Sequence, residues 1–243
     1  MLDKIYKGFY YTLIMKLPIL PTRKKLEKKK LLHLAINTSK IKKWADMNEK
    51  SMAEAATQNI KRLREMMNYQ LKHDFPILTI KLSTKSDEER AALTRFFTEL
   101  VEDETIHKNQ VRVFIIGAWF DLPVELVDAV KTVMEATQDY DKYFLNFCMK
   151  YDGQSEIVAA TRLITRKVMA GKMDVDEIDK ETVKENLYSS YFTPPDMIIE
   201  CSRKYSGLLL WDSRKSLIYF THKLWLDFDK SDFQKALDFY ASG

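Results

Sequence analysis

The sequence contains little glycine: six of its 243 residues, none of them in a G-x-G-x-x-G or P-loop arrangement. Both arrangements surround the phosphates of a nucleotide with backbone N–H groups, so their absence argues against a Rossmann dinucleotide site or a P-loop NTPase. Cysteine is scarcer still, and Cys148 and Cys201 lie in apolar segments without metal-ligand spacing. We predict two buried thiols in a reducing compartment. The four histidines lack metal-type neighbours at helical spacing, which predicts structural or surface roles for them.

Long apolar runs and a strong excess of charge are also missing. No apolar run approaches the roughly 18 residues of a membrane span. Residues 1–21 lack the compact apolar core and small-residue cleavage site of a signal peptide. The net charge of +4, with pI ≈ 8.8, suits an anionic ligand or a membrane surface but falls short of a nucleic-acid-binding protein. These absences predict a cytoplasmic protein that does not bind nucleic acid.

The first 30 residues form a segment of their own. Apolar residues at steps of three and four predict an amphipathic helix that ends at Pro18 and Pro21, and a lysine-rich run follows it. Two interpretations stay open. Either the helix packs on its own domain and the basic run is a solvated linker, or the helix lies on the inner face of a membrane with its lysines at anionic headgroups. Residues 31–243 are predicted to form one domain.

From residue 31 onward, short apolar runs alternate with helical patterns. Short apolar strands separated by helices predict an α/β fold, with a central, mostly parallel, six-stranded sheet surrounded by helices. The predicted strands are Leu31–Asn37, Ile77–Ser83, Val111–Gly117, Tyr143–Met149, Met197–Cys201 and Leu217–Phe220. The predicted helices are Ser51–Lys72, Asp87–Glu104, Pro123–Thr137, Ser155–Gly171, Asp176–Asn186 and Ser231–Tyr240.

The segment from His33 to Ala45 has the length and frame of the cis-prenyltransferase signature H-x-A-x-x-M-D-G-N-x-R-W-A, with His33, Ala35, Trp44 and Ala45 in place. Further segments resemble this family in the right order and at nearly the right distances. They are 111–123 (R-x-x-x-x-G…L-P), 146–157 (L-N-x-A-x-x-Y-G-G-R-x-E-I), 187–199 (L-Y…x-P-D-L-I-I) and 206–228 (S-N-F-L-L-W…Y-F…W-P-D-F). Residues 31–240 therefore resemble a cis-prenyltransferase.

The resemblance implies further properties. Cis-prenyltransferases have a mostly parallel central sheet, form dimers and hold the growing isoprenoid chain in an elongated hydrophobic tunnel. Helices Ser51–Lys72 and Asp87–Glu104 are apolar enough to border a tunnel with a prenyl chain in it, and equally apolar enough to form an ordinary core. The dimer surface is expected around helix Asp87–Glu104 and the segment 206–219.

The polar positions of the family's substrate sites differ in this sequence. The signature aspartate, which in the family acts with Mg²⁺ at the allylic diphosphate, corresponds to Ser39. A hydroxyl does not replace a carboxylate beside a divalent ion and a diphosphate. The glycine and asparagine that follow correspond to Lys40 and Ile41. The signature arginine corresponds to Lys43, which keeps the charge without the bidentate geometry.

Positions further along the chain differ as well. The arginine and histidine that hold the allylic diphosphate in the family correspond to Met52 and Ala56. At the second diphosphate site an arginine corresponds to Glu200, whose charge repels a phosphate, and a late metal-site glutamate corresponds to Leu217. The chain ends without the C-terminal R-x-G that completes a partner's active site in the family. Removing one charge-stabilising group costs about 10²–10³ in rate, so we expect little or no chain elongation by this chain alone.

Four residues remain as candidates for binding a diphosphate: Lys40, Lys43, Lys204 and Ser206. The alternative interpretation is that the lysines are surface residues beside a site that has lost its function. No catalytic residue and no metal ligand is predicted in this chain, and Mg²⁺ is expected in an active partner.

Two functional hypotheses follow from the resemblance. The first is a catalytically silent subunit that pairs with a catalytic cis-prenyltransferase homologue, as a heterodimer or heterotetramer, in the synthesis of long-chain polyprenyl diphosphates for glycosyl-carrier lipids. The second is a divergent enzyme that acts on a prenyl diphosphate, by transferring its prenyl group to a non-standard acceptor with release of diphosphate or by ionising or cyclising it, with lysines as a metal-free cationic pocket. A lipid-binding or purely structural role is the remaining alternative.

Overall fold

A single sheet of six parallel strands forms the centre of the computed structural model, which describes residues 30–242. The strands are β1 (His33–Asn37), β2 (Ile77–Lys81), β3 (Val111–Ile116), β4 (Tyr143–Cys148), β5 (Met197–Glu200) and β6 (Leu217–Phe220). Their order across the sheet is β3-β4-β2-β1-β5-β6, and every neighbouring pair is parallel. The predicted α/β fold is confirmed. The helix and basic run predicted for residues 1–30 lie outside the described residues, apart from Lys30.

The strands are mainly apolar, as expected for a parallel sheet that helices cover on both faces. Every residue of β1, β3 and β4 is buried. The strands end one or two residues before several of the predicted ends, since the chain turns there. At the end of β3, Gly117 has φ +110°, and a Cβ atom at this position would lie 2.3 Å from the carbonyl oxygen of Met149. Only glycine fits this turn without moving the neighbouring backbone.

Eight α-helices surround the sheet in the described part of the chain. They are α1 (Ile41–Met47), α2 (Met52–His73), α3 (Asp87–Leu100), α4 (Glu104–Lys108), α5 (Val124–Ala136), α6 (Gly153–Met169), α7 (Lys180–Glu185) and α8 (Lys230–Ser242). Helices α2 and α3 both begin with capping boxes. The box of α2 is formed by Ser51 and Glu54, and that of α3 by Ser86 and Glu89. Each box satisfies backbone N–H groups of the first turn that have no partner inside the helix.

Two predicted helices have the wrong extent, and aspartate caps are the reason. The predicted helix Asp87–Glu104 ends at Leu100, because the side chain of Asp103 accepts a hydrogen bond from the Thr105 N–H and starts α4. The predicted helix Asp176–Asn186 is a 3₁₀ turn followed by α7. Asp179 separates the two and caps α7 by accepting from the Thr182 N–H at 2.8 Å. Helix α1 was not among the predicted helices.

A cluster of phenylalanine rings fills the space between α3 and the sheet. Phe96 and Phe97 of α3 lie 5.8 and 5.3 Å, centroid to centroid, from Phe147 of β4 in edge-on contacts. All three rings are buried. Edge-to-face pairs of this kind stabilise a core beyond the area that they bury.

Both cysteines are buried free thiols, as predicted. Burial raises the pKa of Cys148 well above its ordinary value. Burial, with the charge of Glu200 adding to it, raises the pKa of Cys201 to about 12. Both thiols are therefore protonated and unreactive at neutral pH. Among residues 30–242, each helix is too short or too polar to cross a bilayer.

Candidate functional site

The candidate site lies at the edge of the sheet where the strands end. Because all six strands are parallel, their carboxyl ends meet at this edge, which is where open α/β sheets bind ligands. The last residues of β1 and β5, Asn37 and Glu200, are paired in register across the two strands. Lys81 ends β2 beside them, with its ammonium 5.9 Å from the centre of the Tyr151 ring.

Glu200 is the centre of a buried hydrogen-bond network at this edge. Its Oε2 accepts from Asn37 Nδ2 at 2.7 Å. Its Oε1 accepts from the Ser206 backbone N–H at 2.8 Å and from the Ser206 hydroxyl at 2.6 Å. Glu200 is fully buried and Asn37 nearly so. A buried carboxylate is tolerated only where donors of this kind compensate for the lost hydration.

Of the four residues predicted to bind a diphosphate, only Ser206 contacts this network, and the three lysines are exposed. Ser206 reaches the carboxyl edge, but both its donors are directed at Glu200. Lys40 is exposed and is the N-cap of α1, in a left-handed conformation with φ 73° and ψ 31°. Its positive charge acts on Cys201, next to Glu200. Lys43 is exposed on α1, and the backbone N–H of the exposed Lys204 donates to the Ser202 hydroxyl at 3.1 Å. Their role in binding a diphosphate stays a prediction.

The positions that correspond to the family's metal-binding carboxylates have no acidic side chain. Ser39 supplies a neutral hydroxyl, and Leu217, the first residue of β6, supplies no side-chain oxygen. Both oxygens of Glu200 already accept hydrogen bonds. In the part of the chain that the structure describes, no three histidine, cysteine, aspartate or glutamate side chains form a group that could hold a metal ion. Magnesium prefers carboxylate and water oxygens, so this donor set does not fit it.

The retained aromatic residues of the signature region hold elements together. Trp44 of α1 donates its indole N–H to Asp227 Oδ1 at 2.6 Å. The indole N–H of the buried Trp225 donates to Asn59 Oδ1 of α2 at 2.7 Å, and its ring stacks on Phe228. These contacts join α1 and α2 to the segment before α8.

His33, the first residue of β1, belongs to a second buried network, which extends to Thr79 of β2 and Asn146 of β4. Burial lowers the pKa of His33 to about 4, so its ring is neutral. Its Nδ1 lies 2.6 Å from the Thr193 carbonyl oxygen, which can only accept, so Nδ1 carries the proton. The Thr79 hydroxyl then donates to Nε2 at 2.8 Å and accepts from Asn146 Nδ2 at 3.2 Å. Of the two roles that the sequence suggested for the histidines, structural or surface, the buried position of His33 fits the structural one.

A groove of about 480 Å³ lies between α2 and α3, where the resemblance places a prenyl tunnel. Ile60 and Arg64 line it on α2, and Ala92, Arg95 and Phe96 line it on α3. The groove is open to solvent and its lining mixes apolar and charged side chains. Occupation by a prenyl chain stays a prediction.

Sequence reasoning missed the residues that matter most at this edge. Asn37 and Lys81 were not among the predicted site residues, and Glu200 was expected only to repel a phosphate. A lysine or asparagine that ends a buried apolar run is a local signal for a residue at a strand's carboxyl end. The pairing of Glu200 with Asn37, 163 residues earlier, has no local signal.

Comparisons with known proteins agree with this architecture. The family model for undecaprenyl diphosphate synthase matches residues 41–243. A tritrans,polycis-undecaprenyl-diphosphate synthase (geranylgeranyl-diphosphate specific) of Thermoplasma acidophilum is 30% identical over 219 residues, 86% of this chain and 85% of that protein. The synthase of the same name from Pyrococcus horikoshii is 33% identical over 216 residues, 84% of this chain and 82% of that protein.

Two solved structures share the fold. A lavandulyl diphosphate synthase from Lavandula x intermedia, in complex with dimethylallyl diphosphate, superposes with a TM-score of 0.79 at 26% identity, covering 88% of this chain and 96% of that one. A probable undecaprenyl diphosphate synthase from Campylobacter jejuni superposes with a TM-score of 0.67 at 20% identity, covering 88% and 97%.

Proposed function

Because this chain belongs to the undecaprenyl diphosphate synthase family, we propose that it acts in polyprenyl diphosphate synthesis as a subunit that supports a catalytic homologue without joining isoprene units itself. One observation carries the proposal: at the carboxyl edge, several acidic and cationic positions of the family's diphosphate and metal sites hold side chains of another kind. Ser39 and Leu217 replace two acidic positions, and Glu200 replaces an arginine and is itself tied to Asn37 and Ser206. Each such loss costs about 10²–10³ in rate.

A subunit that acts through its surface requires an intact fold. The Trp44–Asp227 and Trp225–Asn59 hydrogen bonds join α1 and α2 to the segment before α8. A packed fold without the family's charged site residues is what a supporting subunit requires.

The sheet edge at β6 is the surface that we assign to the catalytic homologue. In the described part of the chain β6 is the last strand on this side, and Phe220 at its end is 46% exposed. Phe239 of α8 is 40% exposed and packs on Tyr219 with 5.4 Å between ring centroids. Exposed aromatic rings beside an unpaired strand edge are typical of protein interfaces. Of the two regions that the resemblance suggests for a dimer surface, the segment 206–219 leads into this edge, whereas helix α3 packs on β4 away from it.

The test is an assay of isopentenyl diphosphate incorporation with Mg²⁺. The chain is purified alone, and then mixed with the homologue from the same organism that keeps the signature aspartate and arginines. We expect no product from this chain alone and more product from the mixture than from the homologue by itself. Lys43→Ala in this chain should leave the mixture's activity unchanged. Product from the chain alone, abolished by Lys43→Ala, would contradict the proposal.

A second candidate function is supported by the structural likeness to lavandulyl diphosphate synthase, which was solved with dimethylallyl diphosphate. In this alternative the chain is a divergent enzyme, and the exposed Lys40, Lys43 and Lys204 bind the diphosphate of a prenyl substrate without metal. Incubating the chain alone with dimethylallyl diphosphate distinguishes the two functions. Release of pyrophosphate that is lost in Lys43→Ala supports the divergent enzyme, and no release supports the silent subunit.

Contact of residues 1–30 with a membrane stays a prediction. It is tested by sedimentation with vesicles that contain an anionic lipid, comparing the full chain with a chain that begins at Lys30. Binding lost with the first 29 residues supports the contact, and equal binding by the two chains contradicts it.

A further inference from the structure

We propose that Asn37 and Ser206 form an oxyanion pocket that Glu200 fills from within the chain, and that a small free carboxylate binds there once Glu200 is shortened to alanine. In the wild-type protein Glu200 thus acts as an intramolecular ligand that closes the pocket to external anions. The proposal does not rest on the proposed function, because it concerns the isolated chain.

The pocket is selective for an anion because the three atoms that face Glu200 are donors. The Ser206 backbone N–H cannot exchange its role with an acceptor, and it lies 2.8 Å from Oε1. The Ser206 hydroxyl and Asn37 Nδ2 complete the set at 2.6 and 2.7 Å. Short hydrogen bonds from neutral donors to a carboxylate are of the charge-assisted kind. A cation or a neutral apolar group in the same place would leave buried donors unpaired.

The elements that supply the donors fix the pocket. Asn37 ends β1, whose register with β5 places it opposite Glu200. Ser206 follows β5 by a short loop, and the Ser202 hydroxyl within this loop accepts from the Lys204 N–H at 3.1 Å. The hydroxyl of Tyr205 donates to the Leu208 carbonyl at 2.5 Å. The backbone positions of both donor residues are therefore set by the β1–β5 pairing and by the loop's own hydrogen bonds, which do not involve the Glu200 side chain.

The size of the vacated space specifies the ligand. Replacing glutamate by alanine removes the Cγ methylene and the carboxylate, which together have the size and charge of acetate. Acetate can accept from the same donors in the same place. A tetrahedral phosphate has more oxygens than the pocket has donors, and its extra bulk has no space provided by the substitution.

The experiment measures thermal unfolding of wild type, Glu200→Ala and Glu200→Gln in sodium acetate and in sodium chloride of equal ionic strength. We expect acetate to raise the melting temperature of Glu200→Ala by ~3 °C or more above its value in chloride, since a bound ligand stabilises the folded state. Wild type and Glu200→Gln should not respond, because their side chains fill the pocket. Adding Ser206→Ala to Glu200→Ala should reduce the acetate effect, because one donor is lost.

Three results would overturn the proposal. They are an equal response of Glu200→Ala to acetate and chloride, an equal acetate response in wild type, and an equal response in Glu200→Gln. If Glu200→Ala does not fold in chloride, the readout is the yield of refolding followed by circular dichroism. A yield restored by acetate supports the pocket, and a yield that is the same in both salts contradicts it. Sodium phosphate at the same ionic strength should give a smaller effect than acetate.

Discussion

Lys40 carries backbone strain that glycine would not. Its left-handed conformation, φ 73° and ψ 31°, costs a residue with a Cβ atom about 1–2 kcal/mol. We expect Lys40→Gly to raise the free energy of unfolding by about 0.5–1 kcal/mol, because the greater freedom of glycine in the unfolded chain offsets part of the relief. Equilibrium denaturation in urea measures this change.

Lys42→Gly is the matched control for this prediction. Lys42 is an exposed lysine inside the same helix, α1, with an ordinary helical conformation. Glycine there should lower the free energy of unfolding by about 1 kcal/mol. Equal losses in Lys40→Gly and Lys42→Gly would show that the left-handed conformation is not strained.

His33 makes the stability of the fold depend on pH. Its pKa is about 4 in the folded protein and 6.5 when the ring is in water, because burial disfavours the charged ring. Between these pH values the unfolded chain binds a proton that the folded chain does not bind. The free energy of unfolding therefore falls as the pH drops from 6.5 to 4, by up to about 3 kcal/mol from this residue. Urea denaturation at pH 7, 5.5 and 4.5 measures the slope.

His33→Gln removes the titrating ring and so isolates the contribution of His33 to the pH dependence of the free energy of unfolding. The variant should be less stable than wild type at pH 7, since Thr79 and Thr193 lose their partner, and the difference should narrow toward pH 4.5. His222→Gln is the control for the same substitution at an exposed loop position. Parallel pH profiles for wild type and His33→Gln would rule out this explanation.

At the scale of single elements, a substitution in α3 tests whether the space between this helix and the sheet is filled. Phe97 is buried against Phe96 and Phe147, with ring centroids 5.3 Å from each. In a filled core, Phe97→Ala should lower the free energy of unfolding by about 3–5 kcal/mol, through lost burial and the cavity left behind. Urea denaturation measures the loss, with Phe239→Ala, at a half-exposed ring, as a control expected to lose about 1 kcal/mol. A loss as small as the control's would mean that a space, such as a tunnel, already borders Phe97.

The strands could be predicted from the sequence to within about two residues. Because parallel strands are buried on both faces, they appear as mainly apolar runs, such as Val111–Ile116, in which Arg112 is the one polar residue. Helix ends were harder, since Asp103 and Asp179 start new helices inside stretches whose periodicity continues. Helix α1 has only Ile41 and Ala45 buried, too few apolar positions for a helical period to show.

At the scale of the whole molecule, the site was predicted only in part. Ser206 was named from the resemblance as a diphosphate-binding residue, and that role stays a prediction; the structure shows its N–H and hydroxyl directed at Glu200. Its bonds to Glu200, and those of Glu200 to Asn37, depend on how β1 and β5 pair in the folded chain. No spacing rule connects residues 163 positions apart. The sequence therefore indicated which side chains differ from the cis-prenyltransferase pattern. The fold was needed to show which groups those side chains contact.

The assignment of the β6 edge to a catalytic homologue is tested by a charge placed on it. Phe220→Asp should leave the chain folded, because the ring is 46% exposed, and should weaken the complex tenfold or more, about 1.4 kcal/mol, by placing a carboxylate in a buried apolar contact. Biolayer interferometry with the immobilised homologue measures the dissociation constant. Met169→Asp is the matched control, since Met169 is 83% exposed at the end of α6 and should bind like wild type. If Phe220→Asp binds as tightly as wild type, the partner does not use this edge. If Met169→Asp binds as weakly as Phe220→Asp, the added negative charge weakens binding wherever it is placed on the surface. A tenfold loss confined to Phe220→Asp, with a matching loss of isopentenyl diphosphate incorporation by the mixture, would connect this edge to the activity that the subunit supports.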